Sequence, residues 1–110
     1  MSDTITQAAK QIAIPNYFFQ NESGYEEWLK QNQNTGFVAN GFKDKDGTKV
    51  SEQHFRVHKL PCDNSLNKQE YEGRRTNYGK LCHLDEDIVF EDCKRRTKVK
   101  LTRCSKCYKP

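Results

Sequence analysis

The chain has no run of about eighteen apolar residues, which excludes a membrane-spanning helix. Its start, Met1 to Lys10, lacks a basic segment followed by an apolar one. No secretory signal is therefore expected, and the chain is placed in the cytoplasm. Neither an H-E-x-x-H pattern nor an H-x-E followed by P-C-x-x-C occurs. Those are the spacings that set a general acid or base beside a catalytic zinc, so no enzyme is expected, and no small-molecule substrate. Internal repeats and low-complexity tracts are missing too. The chain is short of apolar residues, at 34% against 31% charged. A core this lean gains from a metal or a cross-link.

Residues 94–110 contain no acid at all. They carry Lys94, Arg95, Arg96, Lys98, Lys100, Arg103, Lys106 and Lys109. Residues 1–93 hold 11 Lys/Arg and 15 Asp/Glu, a balance of −4. The net charge of +4 is thus concentrated at one end of the chain.

Six Phe, five Tyr and one Trp supply large apolar side chains, and 110 residues suit one domain. Residues 1–15 are polar, end at Pro15 and read as a flexible N-terminal arm; residues 16–110 read as a single zinc-stabilised domain. Ser23 and Glu26 fit a capping box, followed by a stripe of Tyr25, Trp28 and Leu29, and Asn34-Thr35-Gly36 stops that helix. Phe37 to Phe42 reads as a strand, with an Asp46-Gly47 turn signal after it. Gln53 to Lys59 alternates, setting Phe55 and Val57 on one face and His54, Arg56 and His58 on the other, and Pro61 ends it. Asp63 to Asn77 is a long polar loop holding Arg74 and Arg75. Tyr78 to Leu84 reads as a short strand. A helix starts at Asp85-Glu86-Asp87 and ends near Lys94, with Leu84, Ile88 and Val89 inward. Lys98 to Arg103 reads as a last strand with a basic outer face. The expected fold is α+β: a small antiparallel sheet of three or four strands with two helices, closed by a C-terminal zinc site.

The chemistry concentrates in five cysteines, an odd number that leaves one over in any disulfide scheme. In a reducing compartment metal ligation is their default use. Cys104-Ser105-Lys106-Cys107 is a C-x-x-C knuckle, a spacing that lets two thiolates reach one tetrahedral ion. Such a knuckle needs a second pair, and the chain offers His58 with Cys62, or Cys62 with Cys82. The expected zinc ligands are therefore Cys62, Cys104, Cys107 and one of His58 or Cys82. Cys93 is expected to be buried in its helix and dispensable. The competing readings are a redox-active pair, for which a motif following a strand at the chain end is a poor setting, and plain buried thiols.

Residues 54–110, with His58-Lys59-Leu60-Pro61-Cys62 and the closing Cys104 to Pro110, resemble the four-cysteine zinc domain of Ada-type DNA alkyl-phosphotriester repair proteins. The resemblance implies a zinc-supported, DNA-contacting fold. His58 stands where that family has its methyl-accepting cysteine, which argues against methyl transfer. The whole pattern, with Gly36 to Asn40 and Lys80-Leu81-Cys82, also looks like small uncharacterised bacterial zinc modules. The basic end adds the expectation of nucleic-acid binding, DNA first, through Lys98, Lys100, Arg103 and Lys106, with Arg74 and Arg75 as second choices. A role within a DNA-processing or defence system would fit. The alternative is a protein-interaction adaptor in which the acidic body and basic tail meet an oppositely patterned partner.

Overall fold

The computed structural model describes residues 14–61 and 76–108. In chain order these form β1 (Asn16–Phe18), α1 (Glu22–Gln31), β2 (Gly36–Phe42), β3 (Arg56–Leu60), β4 (Gly79–His83), α2 (Glu86–Thr97) and β5 (Thr102–Arg103). The five strands make one sheet in the order β1-β4-β2-β3-β5. The class is α+β, as the sequence suggests, but the sheet has five strands and is mixed. Three pairings are antiparallel, while β5 runs parallel to β3.

Side chains alternate across a strand, so each strand feeds both faces of the sheet. Ala39, Val57 and Leu81 point to one face and pack with Val89 and Cys93 of α2. Val38, Leu60 and Cys82 point to the other and pack with Tyr25, Trp28 and Leu29 of α1. One helix therefore covers each face. The α1 stripe recurs at i, i+3 and i+4 as expected. Its cap is Asn21, not Ser23: the Asn21 side-chain oxygen accepts from the Gly24 N–H at 3.0 Å. Asn21 also donates its own N–H to the Thr76 hydroxyl, while Glu22 accepts from the Thr76 N–H, tying the helix start to the entry of β4.

Helix α2 runs past Lys94 to Thr97, longer than expected, and Lys98 closes it in a left-handed conformation with φ 61°. Its C-terminal turns are buttressed on the inside by Asp92, which is buried and paired with Arg95 and Arg96. The expected strand over 98–103 is accordingly reduced to Thr102–Arg103, because Lys98 is still capping the helix. Leu84, expected inward, is exposed in the link between β4 and α2, and Tyr78 is also largely exposed, its ring set against His54.

Pairing of β2 with β4 shifts register between Asn40 and Phe42, and Gly41 is the extra residue. Its φ is +110°, and a Cβ there would meet the His54 carbonyl and Phe55 nitrogen at 2.8–2.9 Å. The bulge thus needs glycine for both reasons. Gly41→Ala is expected to destabilise the domain by about 2 kcal/mol or more, read as a lower urea midpoint at unchanged slope. A midpoint equal to the wild type would contradict this account of the bulge.

Candidate metal centre

The centre is assembled by register. In the parallel pair, Arg56 lies opposite Thr102 and Val57 opposite Arg103. The ladder continues one residue further, where the Cys104 N–H donates to the Val57 carbonyl at 2.9 Å. Cys104 therefore arrives beside His58. The chain then turns, and the Tyr108 N–H donates to the Cys104 carbonyl at 3.2 Å. That turn carries Cys107 back over His58, with the Cys107 sulfur 3.5 Å from His58 Nδ1. The donor atoms of His58, Cys104 and Cys107 all lie within 4.8 Å of one another. Around a tetrahedral zinc, with bonds of about 2.1 Å to nitrogen and 2.3 Å to sulfur, the nitrogen–sulfur edge is roughly 3.6 Å. The Cys107–His58 distance matches that edge, and the three donors together could hold one metal ion.

His58 is in the form a metal needs. Burial, and then the charges of Lys80 and Arg56, pull its pKa down to about 4. The imidazole is neutral at pH 7, with a lone pair to give. Cys107 is disulfide-bonded. Ligation by its thiolate therefore belongs to the reduced protein.

The two further cysteines among the described residues do not join this group. Cys82 and His58 both lie opposite Val38, so they share a face but stand on either side of β2. Two strand spacings separate them by about 10 Å. Cys82 is fully buried in the apolar cluster under α1, and that burial pushes its thiol pKa far up. Of the two expected alternatives for the last ligand, the geometry brings in His58. Cys93 is buried on α2 in the opposite cluster, its thiol pushed up to about 12 by burial and then by Asp92. Cys62, the remaining expected ligand, lies outside the described residues.

A second set of contacts fastens the same turn to α2. Glu86 forms a bidentate ion pair with Arg103, at 2.8 and 3.2 Å. It also accepts from the Tyr108 hydroxyl at 2.6 Å. The Arg103 hydrogen bond, foremost, holds the Glu86 carboxyl below its usual range. The Arg103 guanidinium lies over the rings of both Phe90 and Tyr108, 5.3 and 5.4 Å from their centroids. Sequence reasoning misses this clamp. Glu86 reads as an acid complementing a helix N-terminus, and nothing in the spacing 86, 103, 108 announces a contact. Arg103, expected on phosphate, is thus engaged within the protein.

Of the other expected nucleic-acid contacts, Lys98, Lys100 and Lys106 are exposed, and Arg74 and Arg75 lie outside the described residues. Lys98 and Lys100 do not share a strand face. They flank Val99 in the link from α2 to β5, between two surface grooves. One groove, about 460 Å³, is lined by Phe90, Glu91, Lys94, Val99 and Leu101 with these two lysines. The other holds Glu52, Arg56 and Thr102 with the same lysines.

Zinc titration of the fully reduced chain checks the ligand set. Wild type, Cys82→Ala and Cys93→Ser are expected to bind one equivalent tightly. His58→Ala, Cys104→Ser and Cys107→Ser are expected to lose at least tenfold in affinity. Loss in Cys82→Ala with retention in His58→Ala would reverse the assignment of the last ligand. No protein-family model, no curated protein and no solved structure matches the chain.

Proposed function

We propose that this chain is a non-enzymatic module in which a structural zinc ion fixes the C-terminal turn to the sheet, and that the basic surface held in place by this turn binds nucleic acid, DNA first. The ion would be held by His58, Cys104, Cys107 and Cys62, which stands four residues after His58 in the sequence. The observation that carries the zinc reading is the meeting of one neutral imidazole and two cysteines that are 49 and 46 residues away in sequence. Zinc is the ion of choice because sulfur and imidazole donors in a closed set suit it, and structural sites of this composition are tetrahedral.

Nucleic acid is the favoured partner because Lys98 and Lys100 serve two adjoining grooves, extended by Lys94 on one side and Arg56 on the other. Glu91 and Glu52 are the acids on those grooves, one in each. A track of cations of this kind neutralises phosphates and releases counterions. Cations in the last turn of α2 also complement the helix dipole, which accounts for Lys94 and Arg95 without a ligand. Lys98 is itself the C-cap, while Lys100 lies beyond the helix and has no such explanation.

Two measurements test the reading. Lys98→Gln and Lys100→Gln are each expected to reduce the slope of log K against log salt by about 0.7–0.9 on a DNA fragment, equally across sequences. Arg103→Gln is expected to leave that slope unchanged and instead lower thermal stability, since its charge is spent on Glu86. Absence of any DNA or RNA retardation at low salt would defeat the nucleic-acid reading and favour a protein partner.

A further inference from the structure

The groove between α2 and the 98–101 link has a composition that phosphate binding alone does not require. It is lined by the apolar side chains Phe90, Val99 and Leu101, Leu101 itself almost wholly buried, together with Lys94, Lys98 and Lys100 and a single acid, Glu91. Phosphates need the lysines. They gain nothing from the apolar side chains, and a duplex, with its bases paired and stacked inside, has no flat apolar face to lay on them. An unstacked base does. Proteins that take single strands combine cationic grooves with aromatic side chains in this way, since every base has a face that can stack. Phe90 is only partly buried, and the Arg103 guanidinium lies 5.3 Å from its ring centroid. The ring also packs against the core cluster beneath α2.

We propose that this groove receives an unstacked base of a single-stranded nucleic acid, with Lys98 and Lys100 on the neighbouring phosphates. The inference rests on the nucleic-acid reading above and narrows it to single strands. An acidic peptide with an apolar anchor would also satisfy the apolar side chains and the lysines. A single strand is the better occupant because Lys98 and Lys100 continue into the adjoining groove with Arg56, which extends the cationic track beyond one anchor pocket.

The test uses the full chain, reduced and zinc-loaded, and three fluorescent probes of equal length: oligothymidine, an abasic strand of the same backbone, and a mixed-sequence duplex. Anisotropy at fixed salt is expected to rank oligothymidine about tenfold tighter than the abasic strand, and tighter than the duplex. Phe90→Leu removes the ring and is expected to bring oligothymidine down to the abasic level while leaving the abasic strand unchanged. Because Phe90 also meets Arg103, Val99→Ser provides a second variant that makes the lining more polar without touching that contact, and the same selective loss is expected. Equal binding of oligothymidine and the abasic strand by the wild-type chain would overturn the base-binding groove while leaving phosphate binding intact. No binding of any of the three probes would overturn both readings. Binding of an acidic, Phe-containing peptide but none of the nucleic acids would transfer the groove to a protein partner.

Discussion

The parallel pairing of β5 with β3 is the constraint on which the candidate centre depends. It is short, two paired residues and one further hydrogen bond from Cys104 to Val57, yet it decides which side chains meet. The knuckle at 104–107 has no register of its own. It acquires one from the sheet, and His58 occupies the position beside it. A shift of one residue would turn the alternation over and leave a side chain from the opposite face in its place. So short a ladder is weak by itself. The Glu86–Arg103–Tyr108 contacts support it from the helix side, and a metal joining His58 to Cys104 and Cys107 would support it from the other side of the sheet.

These two fastenings differ in kind. The ion pair is partly exposed and modest in energy, as such pairs are. A zinc site closes covalent-like bonds across long sequence separations, and its binding free energy becomes folding free energy. The same lean composition that makes the apolar core small explains why such a site would be useful here. The cations of the final segment then divide by what they touch: Arg95 and Arg96 hold Asp92, Arg103 holds Glu86, and Lys98 and Lys100 face the grooves.

Much of this was legible from local pattern. The α1 stripe, the strand over Phe37–Phe42, the inward Phe55 and Val57, and the burial of Cys93 all follow from periods of 3.6 and 2. The grouping of His58 with the knuckle was one of two pairings the spacing allowed, and tertiary register separates them, since Cys82 is two strand positions away on the same face. What the pattern misread lay at element ends. Lys98 to Arg103 alternates like a strand, but the preceding helix continues to Thr97 and takes Lys98 as its cap, so only Thr102–Arg103 pair. Ser23 fits a capping box with Glu26, but Asn21, an equally good cap residue two positions earlier, takes the role, and the contact with Thr76 that favours it is 55 residues away in sequence. The Glu86 clamp joins three residues through folded geometry alone, which no local period encodes.

In the proposed centre, one imidazole, His58, and three thiolates, those of Cys62, Cys104 and Cys107, would close around a single ion at the end of the β3–β5 pair. X-ray absorption at the zinc edge, on the reduced full chain loaded with one equivalent, tests it most directly. The expected spectrum is that of a four-coordinate site with one nitrogen at about 2.0–2.1 Å and three sulfurs at about 2.3 Å, the nitrogen signature vanishing in His58→Ala. Four sulfurs in the wild-type protein, or a site made chiefly of oxygen ligands, would contradict it.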